Sequence, residues 1–279
     1  MSAAGRIGFM QGRLSPQIDG MIQAFPRDRW EGEFRDAESL GFHLMEWTLD
    51  QARIDENPLM TAVGRQHILA LSERHRLAVA SITGDCFMQA PFWKAYGKAR
   101  DELLATAAAV IRNGADVGAH IVVVPLVDNG GIDTVEDENA LREGALALTH
   151  VLAATGSRIA FESDFEPHRL ARFIDTFPMD LFGINYDIGN SASLGWDPVI
   201  EIGLLADRII NVHVKDRLLG GTTVPLGEGA AALDTVFRKL KDVGYAGRYI
   251  LQTARATDGD HLGVADRYRR MTISWIDTP

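Results

Sequence analysis

The run NVHVKD at residues 211–216 reads as the end of a buried strand that carries a polar site. Val212 and Val214 alternate as one apolar face of that strand. His213 stands between them and therefore points to the opposite face. Lys215 follows directly, where the strand is expected to end. An imidazole inside a strand, with charged side chains just beyond it, predicts a functional site at the carboxyl end of this strand.

Seven further short apolar runs occur along the chain, separated by segments with helical periodicity. Most are continuous rather than alternating, as expected of parallel strands that are buried on both faces. One helical segment covers residues 27–41 and ends at Gly41. The segment after Asp187 has a weak helical pattern, with one short helix near residues 198–206. We predict strands at residues 6–10, 43–48, 77–82, 120–125, 158–162, 182–187, 208–214 and 248–253.

Eight strands alternating with helices, with a helix at the end, predict an α/β protein with a (β/α)8 TIM barrel. A doubly wound open sheet is the alternative, and it would place a phosphate-binding loop after the first strand. Residues 8–16, GFMQGRLSP, contain neither GxGxxG nor GxxxxGK[ST], so a nucleotide site is weakly supported. No Pro- or Ser-rich linker divides the chain. We therefore expect a single domain over residues 1–279.

The composition limits the classes of partner. The chain has 279 residues, of which 46% are hydrophobic and 24% charged, as is usual for a globular protein. A net charge of −10 argues against a nucleic-acid partner, because phosphates would be repelled. The single cysteine, Cys86, favours a reducing, cytoplasmic location. Neither a signal peptide nor a membrane span is expected. We expect a small-molecule substrate and leave a homo-oligomer open.

Polar side chains end most of the predicted strands, at the edge where a TIM barrel forms its active site. Adjacent strands lie about 4.8 Å apart, so inward side chains at similar heights can converge on one point. Oxygen and nitrogen donors without a thiolate suit a catalytic divalent cation rather than a structural zinc ion. Mn²⁺ is the first expectation, and Mg²⁺, Co²⁺ and Zn²⁺ are the alternatives. The four predicted metal ligands, on the last four strands, are Glu162, Asp187, His213 and Gln252.

Each of these residues also has an ordinary structural interpretation. A lone histidine in a strand is more often packed in the core, and Asp187 could simply form a turn. Glu162 could pair with Arg158 or Arg169. Four such residues at equivalent points of consecutive strands are harder to explain in this way, because burying two uncompensated carboxylates is costly. A divalent cation would supply the compensation.

Seven motifs in the expected order resemble the sugar phosphate isomerase/epimerase family, within the xylose isomerase-like TIM barrel superfamily. They are IGFMQGRLSP, LGFHLMEWTLD, FESD, YDIGNSASLGWDP, VHVKDR, TVPLGEG and YILQTAR, and they extend from the first to the eighth strand. The resemblance implies that Glu162, Asp187, His213 and the residue of the eighth strand hold one divalent metal. That last residue is usually Glu in the epimerases, but here it is Gln252. Its amide cannot accept a proton at neutral pH, although its oxygen can bind a metal.

The resemblance implies isomerisation or epimerisation of a sugar or sugar phosphate through a metal-stabilised enediolate, with Glu162 as the general base. His213 and Lys215 are the other predicted catalytic residues, because either could stabilise the enediolate oxygen. Epimerisation needs a second acid, and Glu46 or Asp85 could supply it. One alternative is a metal-dependent lyase or dehydratase that eliminates a β-leaving group from a keto-sugar or keto-inositol. Another is a carbohydrate-binding barrel without turnover.

Further side chains at the strand ends are expected to contact the substrate. Arginine makes a forked contact with carboxylates and phosphates, so Arg13 and Arg255 could hold an anionic tail. Rim salt bridges are the alternative for both. Trp47 could form an apolar wall against the sugar, or it could belong to a dimer contact. The predicted substrate-binding residues are Arg13, Glu46, Trp47, Asp85, Lys215, Arg217 and Arg255.

Overall fold

The structure is a computed structural model that describes residues 2–278. Eight of its strands close into a parallel barrel. These are β1 Ile7–Met10, β2 Leu44–Thr48, β3 Ala78–Thr83, β4 Ile121–Leu126, β5 Arg158–Ser163, β6 Phe182–Asp187, β7 Ile209–Val214 and β10 Tyr249–Leu251. Around the barrel the order is β1, β2, β3, β4, β5, β6, β7 and β10, and β10 pairs with β1. The predicted TIM barrel is confirmed, and every strand bound lies within two residues of its prediction.

Two short strands stand apart from the barrel, in the connection between β7 and β10. They are β8 Asp216–Arg217 and β9 Thr223–Val224, and they pair antiparallel. The α-helices of the described residues surround the barrel or cover its ends. They are α1 Trp30–Ser39, α2 Ala62–His75, α3 Asp85–Gln89, α4 Gly97–Asp116, α5 Val135–Ala147, α6 Thr149–Thr155, α7 Pro167–Ile174, α8 Ile188–Leu194, α9 Pro198–Leu205, α10 Leu233–Asp242 and α11 His261–Asp277.

Helix α8 does not follow from the sequence pattern, although α9 lies where the short helix is expected. The seven residues of α8, IGNSASL, include Gly, Asn and Ser, which are poor helix formers. Its ends are nevertheless well defined. The Asp187 side chain caps its first turn, and Gly195 ends it with a left-handed backbone at φ 76°. Capping and tertiary packing therefore form a helix that local propensity does not indicate.

The hydrophobic core has two parts. The larger part lies between the strands and the surrounding helices, and it contains large buried side chains such as Phe9, Trp47 and Phe161. A smaller cluster of Val123, Ala160 and Ile210 packs separately from it. Because side chains alternate along a strand, Ala160 faces the same side as Glu162, the barrel interior. The barrel interior is thus apolar towards the amino ends of the strands and polar towards their carboxyl ends.

The secondary-structure elements of residues 2–278 are arranged around a single barrel. The predicted domain bounds of 1–279 stay a prediction. Within the described residues, no helix has both the length and the apolar character needed to cross a bilayer. The single cysteine, Cys86, is buried with a free thiol.

A buried carboxylate anchors the connection that follows β7. Asp216 Oδ2 accepts hydrogen bonds from the backbone N–H groups of Gly227 and Gly229, both at 2.9 Å, and Oδ1 accepts from Ala231 N–H at 3.0 Å. A Cβ at Gly229 would overlap the Asp216 carboxylate, so glycine is required for this close approach. The segment from β8 to α10 is therefore held against the end of the barrel.

We predict that Asp216→Asn loosens this segment. The amide would keep one acceptor oxygen and turn an N–H₂ group towards backbone donors, which would leave buried donors unpaired at a cost of about 1–3 kcal/mol. Urea unfolding should show a lower midpoint, and hydrogen exchange should be faster at Gly227, Gly229 and Ala231. Asp242→Asn, at an exposed carboxylate, is the control. Unchanged exchange in Asp216→Asn would contradict the anchoring role.

Candidate metal centre

Three side chains from neighbouring strands converge at the carboxyl end of the barrel. Glu162 lies near the end of β5, Asp187 ends β6, and His213 is the last but one residue of β7. Asp187 and His213 are direct partners in the strand register. One ligand atom from each residue lies within 4.8 Å of the others, and all three residues are buried. The predicted convergence of these three side chains is present, and the group is compatible with one shared cation.

Glu46 orients the imidazole of His213 from below. Glu46 Oε1 lies 2.7 Å from His213 Nε2, and neither side chain has any exposed surface. Glu46 Oε2 accepts hydrogen bonds from Ser81 Oγ at 2.6 Å and Asn211 Nδ2 at 3.0 Å. Because Glu46 is an acceptor when ionised, it holds a proton on Nε2 and turns Nδ1 towards the opening of the barrel.

The Nδ1 atom of His213 tests whether these residues fit a metal ion. It lies 3.1 Å from Glu162 Oε2 and 4.0 Å from Asp187 Oδ2, yet it has no well-directed hydrogen bond. A histidine whose far nitrogen donates to a carboxylate is the usual arrangement of a metal-binding imidazole. Two carboxylates and one imidazole nitrogen also suit a divalent cation. The three residues therefore fit such an ion.

The charges at this centre strongly favour a cation beside the carboxylates. Burial by itself would lower the pKa of His213, but Glu46 and Glu162 outweigh it and raise the pKa to about 10. Burial by itself would also raise the pKa of Glu162. The close contact and charge of His213, together with the charge of Lys215, outweigh burial and lower that pKa. Glu162 is therefore ionised at neutral pH and can act as a base or as a ligand.

Two asparagines hold the Glu162 carboxylate in place. Asn185 Nδ2 donates to Oε2 at 2.7 Å, and Asn190 Nδ2 donates to Oε1 at 2.8 Å. Each carboxylate oxygen can accept a second interaction, so both still have capacity for a proton or a cation. The Glu162 side chain is thus held in place, while its carboxylate oxygens keep acceptor capacity for a ligand.

Asp187 divides two roles between its two oxygens. Oδ1 accepts the backbone N–H of Asn190 at 2.8 Å and caps α8. Oδ2 faces Lys215 Nζ at 3.0 Å and His213 Nδ1 at 4.0 Å. The turn-forming interpretation and the ligand interpretation of Asp187 are therefore compatible within one side chain.

Lys215 connects the predicted fourth ligand, Gln252, with this group. Its Nζ lies 3.0 Å from Asp187 Oδ2, 3.0 Å from Asn190 Oδ1 and 3.2 Å from Gln252 Oε1. The Gln252 oxygen thus faces a cationic group at the carboxyl end of the barrel. This position is consistent with an oxygen ligand, and its part in metal binding stays a prediction.

The centre opens into a cavity of about 550 Å³, within the usual size range of small-molecule sites. Arg217 reaches the cavity from β8 and donates from Nη1 to Asn190 Oδ1 at 2.9 Å. Asp85 reaches it from the start of α3. Six residues of the predicted site line the cavity, namely Arg13, Asp85, Glu162, Lys215, Arg217 and Gln252.

Two of the predicted substrate contacts, Glu46 and Trp47, do not line this cavity. Glu46 is covered by His213 and has no exposed surface. Trp47, the next residue, points to the outer face of β2, where its Nε1 donates to Asn57 Oδ1 at 2.9 Å. Neighbouring residues of a strand point to opposite faces, so both could not have faced the substrate. The expected contacts are therefore corrected: Glu46 orients His213, and Trp47 belongs to the core.

Arg255 does not line the cavity either, and its expected contact with an anionic tail stays a prediction. It donates to the carbonyl oxygens of Ser15 at 2.9 Å and Ile22 at 3.2 Å, so it holds the loop after β1. Arg13 is buried beside it and does line the cavity. Burial and the charge of Arg255 lower the pKa of Arg13 to about 9. Of the two arginines, Arg13 is the one that lines this cavity.

Several amides that support the centre are not among the residues predicted from the sequence. Asn185 and Asn211 each stand two residues before a predicted ligand, and the period of two along a strand could have identified them. Asn211 Nδ2 also contacts Asn185 Oδ1 at 2.9 Å, which joins the two strands inside the barrel. Asn190 could not be identified in this way, because the unpredicted helix α8 positions it.

A sequence profile described as a xylose isomerase-like TIM barrel matches residues 34–272. The chain belongs to this family, and its resemblance to the sugar phosphate isomerase/epimerase family is confirmed. L-ribulose-5-phosphate 3-epimerase UlaE of Escherichia coli (strain ATCC 8739) is 37% identical over 82 residues, 28% of this chain and 28% of that protein. The match therefore spans less than a third of this curated relative.

Solved structures have the same fold along nearly their whole length. The IOLI protein with a binding zinc atom superimposes with a TM-score of 0.76 at 15% identity, covering 98% of this chain and 100% of that chain. D-psicose 3-epimerase with D-tagatose from Clostridium cellulolyticum H10 has a TM-score of 0.72 at 13% identity, covering 97% and 98%. These likenesses establish the fold.

We predict that Glu46→Leu destabilises the protein. Leucine would leave His213, Ser81 and Asn211 without their buried acceptor, and removing one partner of a buried ion pair costs about 3–5 kcal/mol. Glu46→Gln should cost less, because its amide oxygen can still accept one of these hydrogen bonds. Urea unfolding followed by tryptophan fluorescence measures both changes. Equal stability of Glu46→Leu and the unmodified protein would contradict this role.

Proposed function

We propose that the chain is a divalent-metal-dependent isomerase or epimerase of sugars or sugar phosphates that acts through an enediolate. One observation carries the proposal: Glu162, Asp187 and His213 converge within 4.8 Å beside an open cavity. His213 Nδ1, which faces Glu162 and Asp187 without a well-directed hydrogen bond, supports the metal dependence. The family relationship supports the reaction class, because the similar protein UlaE is an L-ribulose-5-phosphate 3-epimerase.

Glu162, Asp187, His213 and Gln252 would hold the cation. A bound divalent cation would polarise a carbonyl oxygen as a Lewis acid and so acidify the neighbouring C–H bond. Mn²⁺ is our first candidate, with Mg²⁺, Co²⁺ and Zn²⁺ as alternatives. A zinc atom in the similar IOLI structure is consistent with this range of metals.

The chemistry then depends on residues of this chain. Glu162 abstracts the proton from the carbon next to the carbonyl, because its ionised carboxylate borders the cavity and keeps free acceptor capacity. Lys215, with its ammonium at the cavity wall, stabilises the negative charge that develops on the substrate oxygen. Arg13 and Arg217 provide further donors for the hydroxyl or phosphate oxygens of the substrate.

Elimination is the second candidate reaction. The residue after β10 is Gln252, and its amide cannot serve as the second base of a two-carboxylate epimerisation. A β-elimination on a keto-sugar or keto-inositol needs one base, which Glu162 provides, and one acid for the leaving group. The presence of both this base and the cavity favours a lyase over a carbohydrate-binding barrel without turnover.

We predict that the purified protein binds one divalent cation per chain and that His213→Ala weakens this binding. Loss of one of the few metal ligands should lower the affinity for Mn²⁺ by at least about 10–100-fold, the range typical even of changes to residues around the ligands. Titration calorimetry on metal-stripped protein measures the affinity. His150→Ala, at an exposed histidine, is the matched control. Equal Mn²⁺ affinity in both variants would remove His213 from the ligand set.

We predict that Glu162→Gln strongly slows proton abstraction. The loss of a general base lowers turnover by about 100–10,000-fold. The assay follows deuterium incorporation from D₂O by NMR, with L-ribulose 5-phosphate, D-psicose and D-tagatose as probes and Mn²⁺ present. The Glu166→Gln variant, whose carboxylate caps α7 at an exposed site, should keep the exchange rate. Exchange that persists in Glu162→Gln would show that another residue is the base, and absence of exchange in the unmodified protein would contradict the proposed function.

A further inference from the structure

An inversion at carbon requires one group that removes a proton and a second group that returns a proton to the other face. Glu162 is the proposed first group. Gln252 cannot be the second, because an amide neither gains nor loses a proton near neutral pH. Glu46 cannot reach a substrate, because it lies beneath His213 with no exposed surface. The second group must therefore come from the remaining wall of the cavity.

One remaining carboxylate of the cavity wall differs from the others. Besides Glu162, the lining contains Asp85, Asp128 and Asp164. Asp128 and Asp164 are exposed at the rim. Asp85 is buried, with 8% of its surface exposed. Water competes least with a buried acid, so Asp85 is the carboxylate best suited to hold a proton for delivery.

The hydrogen bonds of Asp85 leave one oxygen free. Thr83 Oγ1 approaches Oδ1 at 3.4 Å, a long contact. Oδ2 is buried and has no partner among the described residues. Although Asp85 is the first residue of α3, no backbone N–H of that helix donates to its carboxylate among the hydrogen bonds of the described residues. A buried, unpaired oxygen that borders a cavity is costly unless a ligand or proton satisfies it.

The barrel order sets Asp85 against the metal centre. Four strand steps separate β3 from β7 in either direction around the eight-stranded ring, so these two strands lie across the barrel from each other. Asp85 follows β3, and His213 lies on β7. A ligand held by the proposed metal-binding residues would therefore have Asp85 on the side opposite His213. Glu162, on β5, would approach the same ligand from a different direction.

The electrostatics of Asp85 agree with this geometry. Burial, with contributions from the charges of Asp50, Glu162 and Glu46, raises the pKa of Asp85 to about 7, while Arg13 opposes the shift. A carboxyl group with a pKa close to the working pH exists in both protonation states and transfers protons efficiently in either direction.

We propose that Asp85 is the second proton-transfer residue of this site and returns a proton to the substrate carbon on the face away from Glu162. The C–H bond breaks, its proton goes to the Glu162 carboxylate, and its electron pair forms the enediolate. The enediolate then re-forms the carbonyl as the same carbon takes a proton from the Asp85 carboxyl group, which becomes a carboxylate. Exchange with water returns both residues to their starting states.

This inference rests on the proposed function, and the test separates the two. Asp85→Asn is assayed in D₂O with L-ribulose 5-phosphate, D-psicose and D-tagatose, each in the presence of Mn²⁺. We expect epimer formation to fall by at least about 100-fold, the lower range for loss of an acid–base group. For the epimer whose proton faces Glu162, deuterium exchange should stay within a few fold of the unmodified rate, because abstraction and return on that face do not need Asp85.

Two further measurements guard against a merely structural effect. Mn²⁺ affinity of Asp85→Asn should be unchanged, because Asp85 is outside the ligand set. In Asp85→Ala, added formate should partly restore epimer formation by supplying a small carboxylic acid to the vacated space. Asp133→Asn, at an exposed carboxylate outside the cavity, is the control.

The outcomes distinguish the possibilities. Loss of epimer formation with retained one-sided exchange, together with formate rescue, supports the proposal. If exchange and epimer formation fall by the same factor without rescue, or if neither changes, Asp85 is not the second residue and the proposed function still stands. If the unmodified protein exchanges no probe, the proposed function and this inference both fail.

Discussion

The buried contact between Glu46 and His213 is the interaction on which the centre depends. The two side chains meet inside the barrel at 2.7 Å with no exposed surface. An isolated charge in such a place would be strongly disfavoured, so the pair persists only because each partner compensates the other and Ser81 and Asn211 complete the set. This contact holds Nε2 of His213, so the other ring nitrogen, Nδ1, faces Glu162 and Asp187.

Barrel closure is what makes this contact possible. Strands β2 and β7 are not neighbours, so Glu46 reaches His213 across the interior rather than along the sheet. The asparagines of β6 and β7 continue the network upwards to Glu162, through hydrogen bonds of 2.7–2.9 Å. The polar side chains from Glu46 to Glu162 therefore form one connected hydrogen-bond network, next to the small apolar cluster of the barrel interior. Its members hold one another in position, as a preorganised site requires.

The cavity has two chemically different sides. The proposed metal ligands come from β5, β6, β7 and the residue after β10, and they bring Lys215 with them. The opposite side, near β1 and β3, brings the buried Arg13 and Asp85. A substrate between these sides would meet Lys215 on one, and Arg13 with the proposed proton donor Asp85 on the other. Because residue 252 is an amide, the side with the proposed metal ligands has one carboxylate fewer. A second proton-transfer group would therefore have to come from the opposite side of the cavity.

Several features follow from the sequence alone. Apolar runs, helical periodicity and their alternation are local patterns, so they predict the eight strands and the barrel correctly. The carboxyl ends of parallel strands share one edge, which is why the strand pattern is enough to group Glu162, Asp187 and His213. The sequence could also have shown that Trp47 and its neighbour Glu46 do not both face the cavity, because adjacent residues of a strand point to opposite faces.

Only the tertiary structure decided what each remaining polar residue does. Asn190 depends on α8, whose sequence is a poor helix former and which a side-chain cap and packing hold in place. Arg255 lies beyond β10 in irregular backbone, where no periodicity predicts its direction. The depth of Glu46 and the free oxygen of Asp85 depend on contacts between strands far apart in sequence. Local patterns carry no information on such contacts, because closure of the barrel creates them.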